Sequence, residues 1–210
     1  MFILSFIPGY GMKKILMAAL LVVFASCKAP KAEPIAASVF FHFDDSRELA
    51  YWDNVVPTNE TLSFNMDPLY IEAGSGSVKC ACSLLETVNQ QQIGIFFQQF
   101  SSNQNLTNRT VTIWVYVPAD LADLTPSCYN MDLIIQRASL TNQDTFYGPA
   151  LNTAGWNQVK YVIPAYSTNP DNSTHDYHDV SIIYFAVENI TSPTQPAPWS
   201  GAIYFDELSW

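Results

Sequence analysis

From residue 38 onward, hydrophobic and polar residues alternate in short runs that turn-forming clusters separate. The runs are rich in Val, Ile, Phe, Tyr and Thr, and none carries a helical period over three turns, which is typical of β-strands. One short helical turn is predicted over 118–124, because Pro118 suits a first helical position. The predicted strands lie near 38–44, 60–65, 68–72, 77–84, 92–98, 109–117, 130–138, 155–163, 180–188 and 202–209. Strands without crossover helices pair antiparallel, so the fold class is all-β, a sandwich or a barrel.

Two of these strands show which side chains share a face. The aliphatic residues of strand 109–117 lie on one face: Val111, Ile113, Val115 and Val117. The opposite face carries Thr112, Trp114 and Tyr116, and the polar face of strand 130–138 carries Asp132 and Gln136. We expect the aliphatic faces to form the core. We expect the polar and aromatic faces to form one outer surface on neighbouring strands.

The closing segment GAIYFDELSW places two adjacent carboxylates inside a hydrophobic strand. A buried carboxylate is costly unless it is paired or binds a metal. In a regular strand, Asp206 shares a face with Tyr204 and Leu208, and Glu207 lies on the opposite face. We therefore expect the two carboxylates to have separate roles.

Charge and composition exclude one class of partner. The chain of 210 residues is 49% hydrophobic and 13% charged, which is typical of a globular protein. Its formal net charge is -10, from 19 Asp and Glu against 9 Lys and Arg. Because nucleic-acid binding needs a basic surface that displaces counterions, we predict no nucleic-acid partner.

The N-terminal segment has the pattern of an export signal. Lys13 and Lys14 precede an apolar run over 15–26, which is too short to span a membrane comfortably. The run ends in Ala25-Ser26-Cys27, which resembles the lipobox of bacterial lipoproteins. That resemblance implies lipidation of Cys27 and an exported protein, anchored in a bacterial membrane at the outer membrane or cell surface. An ordinary cleaved signal peptide is the alternative.

The same pattern divides the chain into three parts. We predict a signal over 1–27 with translation from Met12, a tether over 28–37 and a domain over 38–210. Within the domain, Cys80 and Cys82 share one strand face, and we expect them to be small buried hydrophobic residues. A disulfide from Cys128 to one of them is left open, since disulfides are compatible with export.

Five motifs occur in the order seen in a known family. They are FHFDD at 41–45, SGSVKCACSL at 75–84, RTVTIWVYVP at 109–118, GWNQVKYVIP at 155–164 and IYFDEL at 203–208. This order is similar to that of carbohydrate-binding modules with the galactose-binding-like β-jelly-roll fold. The resemblance implies an antiparallel β-sandwich that binds a poly- or oligosaccharide. A shared fold does not by itself fix function.

The resemblance also implies a structural Ca²⁺. The matching acidic positions are Asp44, with Asp45 beside it, and Asp206, and backbone oxygens near Ser75 and Ser77 complete the set. Ca²⁺ takes about six to eight hard oxygen ligands, which carboxylates and carbonyls supply. The alternative is that Asp206 accepts hydrogen bonds and no metal is present.

Sugar binding uses aromatic rings that stack on sugar faces, with amides and carboxylates that bind hydroxyls. Candidate ligand-binding residues are Trp114, Tyr116, Asp132, Gln136, Arg137, Tyr147 and Tyr177, with Tyr166 and Trp199 as further loop aromatics. For Trp114 and Tyr116, packing in a second layer is an equal alternative. We expect Trp156 in the core, where the corresponding family residue packs.

The sequence contains no recognisable catalytic motif. His175 and His178 could hold a transition metal, but their polar loop favours a solvated segment. We predict non-catalytic binding of carbohydrate, with the membrane contacted only through the lipid anchor. One alternative is a small glycoside hydrolase or polysaccharide lyase, which needs a carboxylate pair or a Tyr/His/Arg trio. The other is a protein-interaction or adhesin module.

Overall fold

The computed structural model describes residues 40–55, 58–84, 92–97, 103–124, 129–138, 143–168, 174–189 and 198–210. These residues fold as two antiparallel sheets, which confirms the predicted β-sandwich. They all belong to one compact unit, 34–210. In this described part, no helix is long and apolar enough to cross a membrane. Cys27, the signal, the tether and Cys128 lie outside the described residues, so the statements about them stay predictions.

Sheet 1 contains both ends of the described chain. Its strands are β1 (Phe40–Phe41), β3 (Glu60–Asn65), β4 (Ser77–Leu84), β6 (Thr110–Val117), β9 (Gly155–Val162) and β13 (Trp199–Ser209). Their order is β3-β4-β13-β6-β9, and β1 pairs with the end of β13. The last strand is therefore central in sheet 1 and fixes the positions of its neighbours.

Sheet 2 covers the other side of the core. Its strands are β2 (Trp52–Asn54), β5 (Gln92–Phe97), β7 (Tyr129–Arg137), β8 (Gln143–Phe146) and β12 (Val180–Asn189), in the order β2-β5-β12-β7-β8. A separate pair consists of β10 (Ser167–Thr168) and β11 (Thr174–His175). Short helical segments are the 3₁₀ turns Glu48–Tyr51 and Pro68–Tyr70 and the helix α1 (Ala119–Ala122), which confirms the predicted turn after Pro118.

The aliphatic faces of both sheets meet in one core, as the alternation predicts. In β6 the four aliphatic positions are fully buried and the intervening residues are exposed or partly exposed. In β7, Met131, Leu133 and Ile135 are fully buried and pair with core residues of β12. Each such buried side chain contributes roughly 1.5–3 kcal/mol relative to an exposed one. Cys80 and Cys82 are buried in the same core as free thiols, as expected.

The segment 68–72, predicted as a strand, begins with a 3₁₀ turn. The Asp67 side chain accepts a hydrogen bond from the backbone N–H of Leu69, and Pro68 takes the first position of the turn. Proline fits there because its missing N–H has no partner to lose. The local capping chemistry therefore outweighs the hydrophobic pattern, and it sets the position of Tyr70.

β13 contains a β-bulge at Glu207. Asp206 pairs with Trp114 and Ser209 pairs with Thr112, so β13 has one residue more than β6 between the two pairs. Glu207 adopts a φ of 48°. The extra residue turns Leu208 into the core, where it is fully buried. The prediction that Leu208 shares the face of Asp206 is therefore wrong, because alternation holds only in a regular strand.

The predicted single outer surface is divided between the two sheets. β6 belongs to sheet 1 and β7 to sheet 2, so they are not neighbouring strands. Trp114 and Tyr116 alternate with core residues of sheet 1, and Asp132 and Gln136 alternate with core residues of sheet 2. In a sandwich these two outer faces lie on opposite sides of the domain. The candidate ligand residues therefore cannot form one surface.

Candidate functional site

A surface cleft with a volume of about 290 Å³ lies where β6 ends and β13 begins. Its aromatic lining is Tyr70, Tyr116, Trp199 and Tyr204, and its other lining residues are Pro118, Ala119, Asp120, Gly201 and Ala202. The volume is close to the lower end of the range for small-molecule sites. Small side chains on β13 and α1 leave this space open beside the rings.

Strand pairing and the 3₁₀ turn bring the rings of the cleft together. Tyr204 pairs with Tyr116 across β13 and β6. Tyr70 stacks on Tyr204, with ring centroids 4.2 Å apart and an angle of 2° between the planes. Tyr116 stands at 83° to Tyr70 at a centroid distance of 5.0 Å. These contacts fix the rings, since offset and edge-to-face pairs contribute about 0.5–1.5 kcal/mol beyond burial.

Trp156 extends this aromatic group on the outer face of sheet 1. It pairs with Tyr116 across β6 and β9, and their ring centroids are 5.5 Å apart at 74°. The side chain is partly exposed, so its predicted place in the core is wrong. The core positions of β9 are instead Val159 and Tyr161, which the register with β6 determines.

Trp199 forms the end of the cleft on β13, where it is buried, so its predicted place on a loop is wrong. Its indole lies against Gly201, where an added Cβ would come within 2.3 Å of the ring. The indole Nε1 is buried, and none of the residues that the structure describes is its hydrogen-bond partner. Buried polar groups without partners are rare in folded proteins, and each calls for an explanation. Gly201 is therefore required for this placement of the ring.

Asp206 holds the segment that follows Tyr70. Its Oδ2 accepts hydrogen bonds from the N–H groups of Glu72 at 2.9 Å and Ala73 at 3.2 Å. Its Oδ1 accepts one from Glu207 at 2.8 Å. Burial raises the pKa of Asp206 to about 6, although these hydrogen bonds favour the charged form. The side chain is fully buried under the segment that it anchors.

The other residues of the predicted calcium set also have hydrogen-bond partners. Asp44 accepts a hydrogen bond from the N–H of Ser75, and Asp45 pairs with Arg47. The Ser77 hydroxyl donates to the carbonyl of Tyr70. In the described ranges, no group of three or more His, Cys, Asp or Glu could hold a metal ion.

The contacts of Asp206 match the alternative without a metal, because N–H donors carry a partial positive charge that does not favour a cation. Ca²⁺ binding by Asp44, Asp45, Ser75, Ser77 and Asp206 stays a prediction from the resemblance.

The outer face of sheet 2 is polar. The Gln136 Oε1 accepts hydrogen bonds from the Tyr184 hydroxyl at 3.3 Å and from Gln143 Nε2 at 3.5 Å. Asp132 is buried and accepts the N–H of Gly148 at 2.9 Å. Burial, with the nearby Glu188 carboxyl, raises the pKa of Asp132 to about 6. Gln136 remains partly exposed on this face, whereas the Asp132 carboxyl is covered.

The raised pKa of Asp132 leads to an expected pH dependence. Burial holds the folded-state pKa of Asp132 at about 6, above its ordinary value of 3.8, so between these pH values the native state binds more protons than the unfolded state. Stability should therefore rise by about 1 kcal/mol for this group when the pH falls from about 7.5 to 5.5. Urea unfolding at both pH values would measure it. Asp132→Asn should remove this contribution and Asp53→Asn should not; an equal rise in wild type and Asp132→Asn would contradict it.

Arg137 and Tyr177 belong to a buried cluster at β7, β8 and β11. The Arg137 Nε lies 4.0 Å from Asp144 Oδ2, and His175 Nε2 lies 2.7 Å from the same oxygen. Tyr177 packs on Phe146 with centroids 5.7 Å apart. The His175 side chain is only 8% exposed, so the predicted solvated loop is wrong at this residue, although His178 pairs with Asp176 at the surface.

This cluster contains the Tyr/His/Arg combination that a polysaccharide lyase would need. However, Arg137 Nε and His175 Nδ1 are buried. The residues also belong to sheet 2 and β11, whereas Trp114 and Tyr116 belong to sheet 1. The arrangement is that of a structural polar cluster. Tyr147 and Tyr166 are exposed by 78% and 62% on loops outside the cleft.

Tyr70 and Tyr204 line the cleft but were not among the predicted site residues. Tyr70 fell in a segment predicted as a strand, and its actual turn brings the ring onto Tyr204. For Tyr204 the sequence does contain an indication, because strand alternation places its side chain on the same face as Asp206. Only the pairing of β13 with β6 shows that this face continues to Tyr116.

Comparison with known proteins finds similarity at the level of structure. No protein-family model and no curated protein matches the chain. The module CBM27-1 of Caldicellulosiruptor saccharolyticus, solved with mannohexaose, has a TM-score of 0.53 and 12% identity over 83% of this chain and 97% of its own. A CBM28 module specific for non-crystalline cellulose has a TM-score of 0.50 and 14% identity over 85% and 95%.

A third solved structure, from work on the promiscuous specificity of carbohydrate-binding modules of the β-sandwich superfamily, gives a TM-score of 0.51. Its identity is 13%, over 85% of this chain and 63% of that chain. Identities this low show a shared fold and leave the ligand open. The chain has the β-sandwich fold of its structural neighbours, which are carbohydrate-binding modules.

Proposed function

We propose that this protein binds an oligosaccharide without cleaving it, in the aromatic cleft of sheet 1. The observation that carries the proposal is the lining of the cleft by Tyr70, Tyr116, Trp199 and Tyr204. The C–H faces of a pyranose ring are apolar and stack on aromatic rings, while tyrosine hydroxyls can bind the sugar hydroxyls. The predicted lipid anchor at Cys27 would hold this site at a bacterial surface.

The fold supports the same proposal. The CBM27-1 module was solved with mannohexaose, and the CBM28 module is specific for non-crystalline cellulose. This sandwich therefore accommodates sugar chains in other proteins. The fold alone does not say which face binds, and here the outer face of sheet 1 carries the aromatic cleft. The outer face of sheet 2 offers Gln136 and Tyr184, already hydrogen-bonded to each other. We therefore assign binding to the cleft.

The chemistry of the cleft favours binding over hydrolysis. Glycoside hydrolases use two carboxyl groups on either side of the scissile bond. Among the lining residues that the structure describes, Asp120 alone carries a carboxylate. A few ring contacts and hydrogen bonds, after the cost of association, give a dissociation constant of about 10⁻³ to 10⁻⁵ M. Weak binding of this kind suits a surface protein that holds a polymer at several points.

Calorimetric titration with oligosaccharides, chosen from a glycan array, would test this function. Tyr116→Ala should weaken binding about tenfold or more, because it removes the ring that stands perpendicular to the stacked Tyr70 and Tyr204. Ala119→Trp should do the same by filling the cleft, without removing a ring. Tyr147→Ala is the matched control, since this tyrosine is 78% exposed and lies outside the cleft.

Circular dichroism would establish that each variant is folded. Absence of binding to every glycan on the array would overturn the proposed function. Unchanged affinity in both Tyr116→Ala and Ala119→Trp would move the site away from the cleft.

A further inference from the structure

Among the described residues, the cleft combines aromatic rings with one carboxylate. Asp120 is the one charged residue in this described lining, which contains no Lys or Arg. The Asp120 side chain is exposed, and its Oδ1 accepts the N–H of Leu121 at 2.9 Å. Within the described residues, no basic side chain forms an ion pair with Asp120. The carboxylate is therefore available to a ligand.

The rings provide a second attraction for positive charge. A cation within about 6 Å of an aromatic ring centroid is attracted by the negative face of the ring, and aromatic sites recognise ammonium groups in this way. Tyr70 and Tyr204 stack in parallel, and Tyr116 stands at 85° to Tyr204 at 6.0 Å. The three rings thus form two perpendicular walls, and Trp199 lies at the end of the same cleft.

The electrostatic field of the domain is negative and therefore also attracts cations. The net charge of the chain is -10, and four of its 9 basic residues, Lys13, Lys14, Lys28 and Lys31, precede the domain. On sheet 1, Lys79 pairs with Tyr204 across β4 and β13 but does not line the cleft. Burial is the largest cause of the raised pKa of Tyr204, and the nearby Asp67 carboxylate contributes in the same direction. A negative surrounding of this kind increases the local concentration of cations.

We propose that the cleft selects a cationic sugar, namely a hexosamine unit whose free amine is protonated. The proposal rests on the proposed function and names its ligand class. The pyranose ring would stack on Tyr70 and Tyr116, which are partly exposed, and the ammonium group would contact Asp120 and the faces of these two rings. Tyr204 is buried and supports Tyr70 from behind. Such a contact is a charge-assisted hydrogen bond, which is stronger than a bond from a neutral hydroxyl to the same carboxylate.

The neutral alternatives within the same ligand class lack this positive charge. Acetylation of the amine removes the positive charge, and a hexose carries a hydroxyl in its place. Neither can form the ion pair with Asp120 or the cation–π contact. One cation–π contact with one partly exposed ion pair corresponds to a preference of about five- to tenfold. The preference should fall as salt is added, because salt screens exposed charges.

Calorimetric titration of the purified protein would test this selectivity with four probes. These are glucosamine, N-acetylglucosamine and glucose oligomers of equal length and β-1,4 linkage, and choline as an ammonium group without a sugar. The glucosamine oligomer should bind about five- to tenfold more tightly than the other three. Raising NaCl from about 0.05 M to 0.5 M should reduce that ratio.

Two variants separate the Asp120 contact from the general acidity of the domain. Asp120→Asn should lower the affinity ratio of glucosamine to glucose oligomers about two- to fivefold, because the amide keeps the shape but not the charge, while the cation–π contact with the rings remains. Asp123→Asn should keep the ratio, since Asp123 ends the same helix α1 but does not line the cleft.

Equal affinity for the charged and neutral oligomers, or a preference that Asp120→Asn leaves unchanged, would overturn the selectivity and leave the proposed function intact. Choline binding as tight as the glucosamine oligomer would also overturn it. Failure of every sugar to bind would instead overturn the proposed function.

Discussion

Replacement of Gly94 with alanine is expected to lower the free energy of unfolding by about 4 kcal/mol or more. Gly94 lies in β5 with a φ of 150°, and an added Cβ would come within 2.0 Å of the carbonyl oxygen of Phe185. Phe185 belongs to β12, the central strand of sheet 2, which pairs on both sides. Because neither backbone can move without breaking strand pairs, the clash cannot relax cheaply. Urea denaturation would measure the change.

Gly155→Ala is the matched control for this effect. Gly155 also has a positive φ, of 93°, but an added Cβ would meet no atom within 4 Å. This substitution should cost only the left-handed backbone conformation, about 1–2 kcal/mol. If Gly94→Ala costs no more than Gly155→Ala, the close approach of β5 and β12 in this account is wrong.

Replacement of Asp206 with alanine is the second large expected effect. The change leaves the N–H groups of Glu72, Ala73 and Glu207 without their acceptor, so the free energy of unfolding should fall by about 2–3 kcal/mol. The segment after Tyr70 would lose its anchor, and sugar affinity should fall with it. Thermal unfolding and calorimetric titration of the same variant would measure both effects.

Asp206→Asn is the control for shape. Its amide oxygen can still accept the hydrogen bonds of Glu72 and Ala73, so it should lose about 1 kcal/mol or less. A loss in the asparagine variant as large as in the alanine variant would show that the negative charge is essential, as a bound cation would require. Equal stability of Asp206→Ala and wild type would contradict the anchoring role.

The local parts of this structure follow from the sequence. Alternation in 109–117 identifies the core face of β6, because side chains of a strand point to opposite faces. Pro118 marks the start of the short helix that borders the cleft. These features depend only on neighbours along the chain, which is why the pattern predicts them.

The non-local parts do not follow. β6 and β7 lie in different sheets because they pair with different strands. β6 pairs with β13 and β9, β7 pairs with β12 and β8, and nothing in either strand's own sequence specifies these partners. The bulge at Glu207 shifts the register by one residue and turns Leu208 inward, which alternation cannot show. Tyr70 joins the cleft because a proline turn replaces the expected strand. Because the strand partners of β6 and the turn at Tyr70 decide which residues line the cleft, its residues could be predicted only in part.

The closing strand connects stability with the site. Tyr204 forms part of the cleft, Asp206 anchors the segment after Tyr70, and Leu208 fills the core. One strand therefore supplies a ligand surface, an anchor and a packing residue. A substitution at Asp206 should for this reason affect binding through Tyr70, because Asp206 anchors the segment that follows this tyrosine.

The location of a bound oligosaccharide tests directly whether the aromatic cleft of sheet 1 is the binding site. An NMR titration of the labelled protein with a hexasaccharide that binds it would map the contact residue by residue. We expect the largest amide shifts around the aromatic cleft of sheet 1, at Tyr70, Tyr116, Ala202 and Tyr204. Shifts confined to Gln136 and Tyr184 on the opposite face of the sandwich would contradict it.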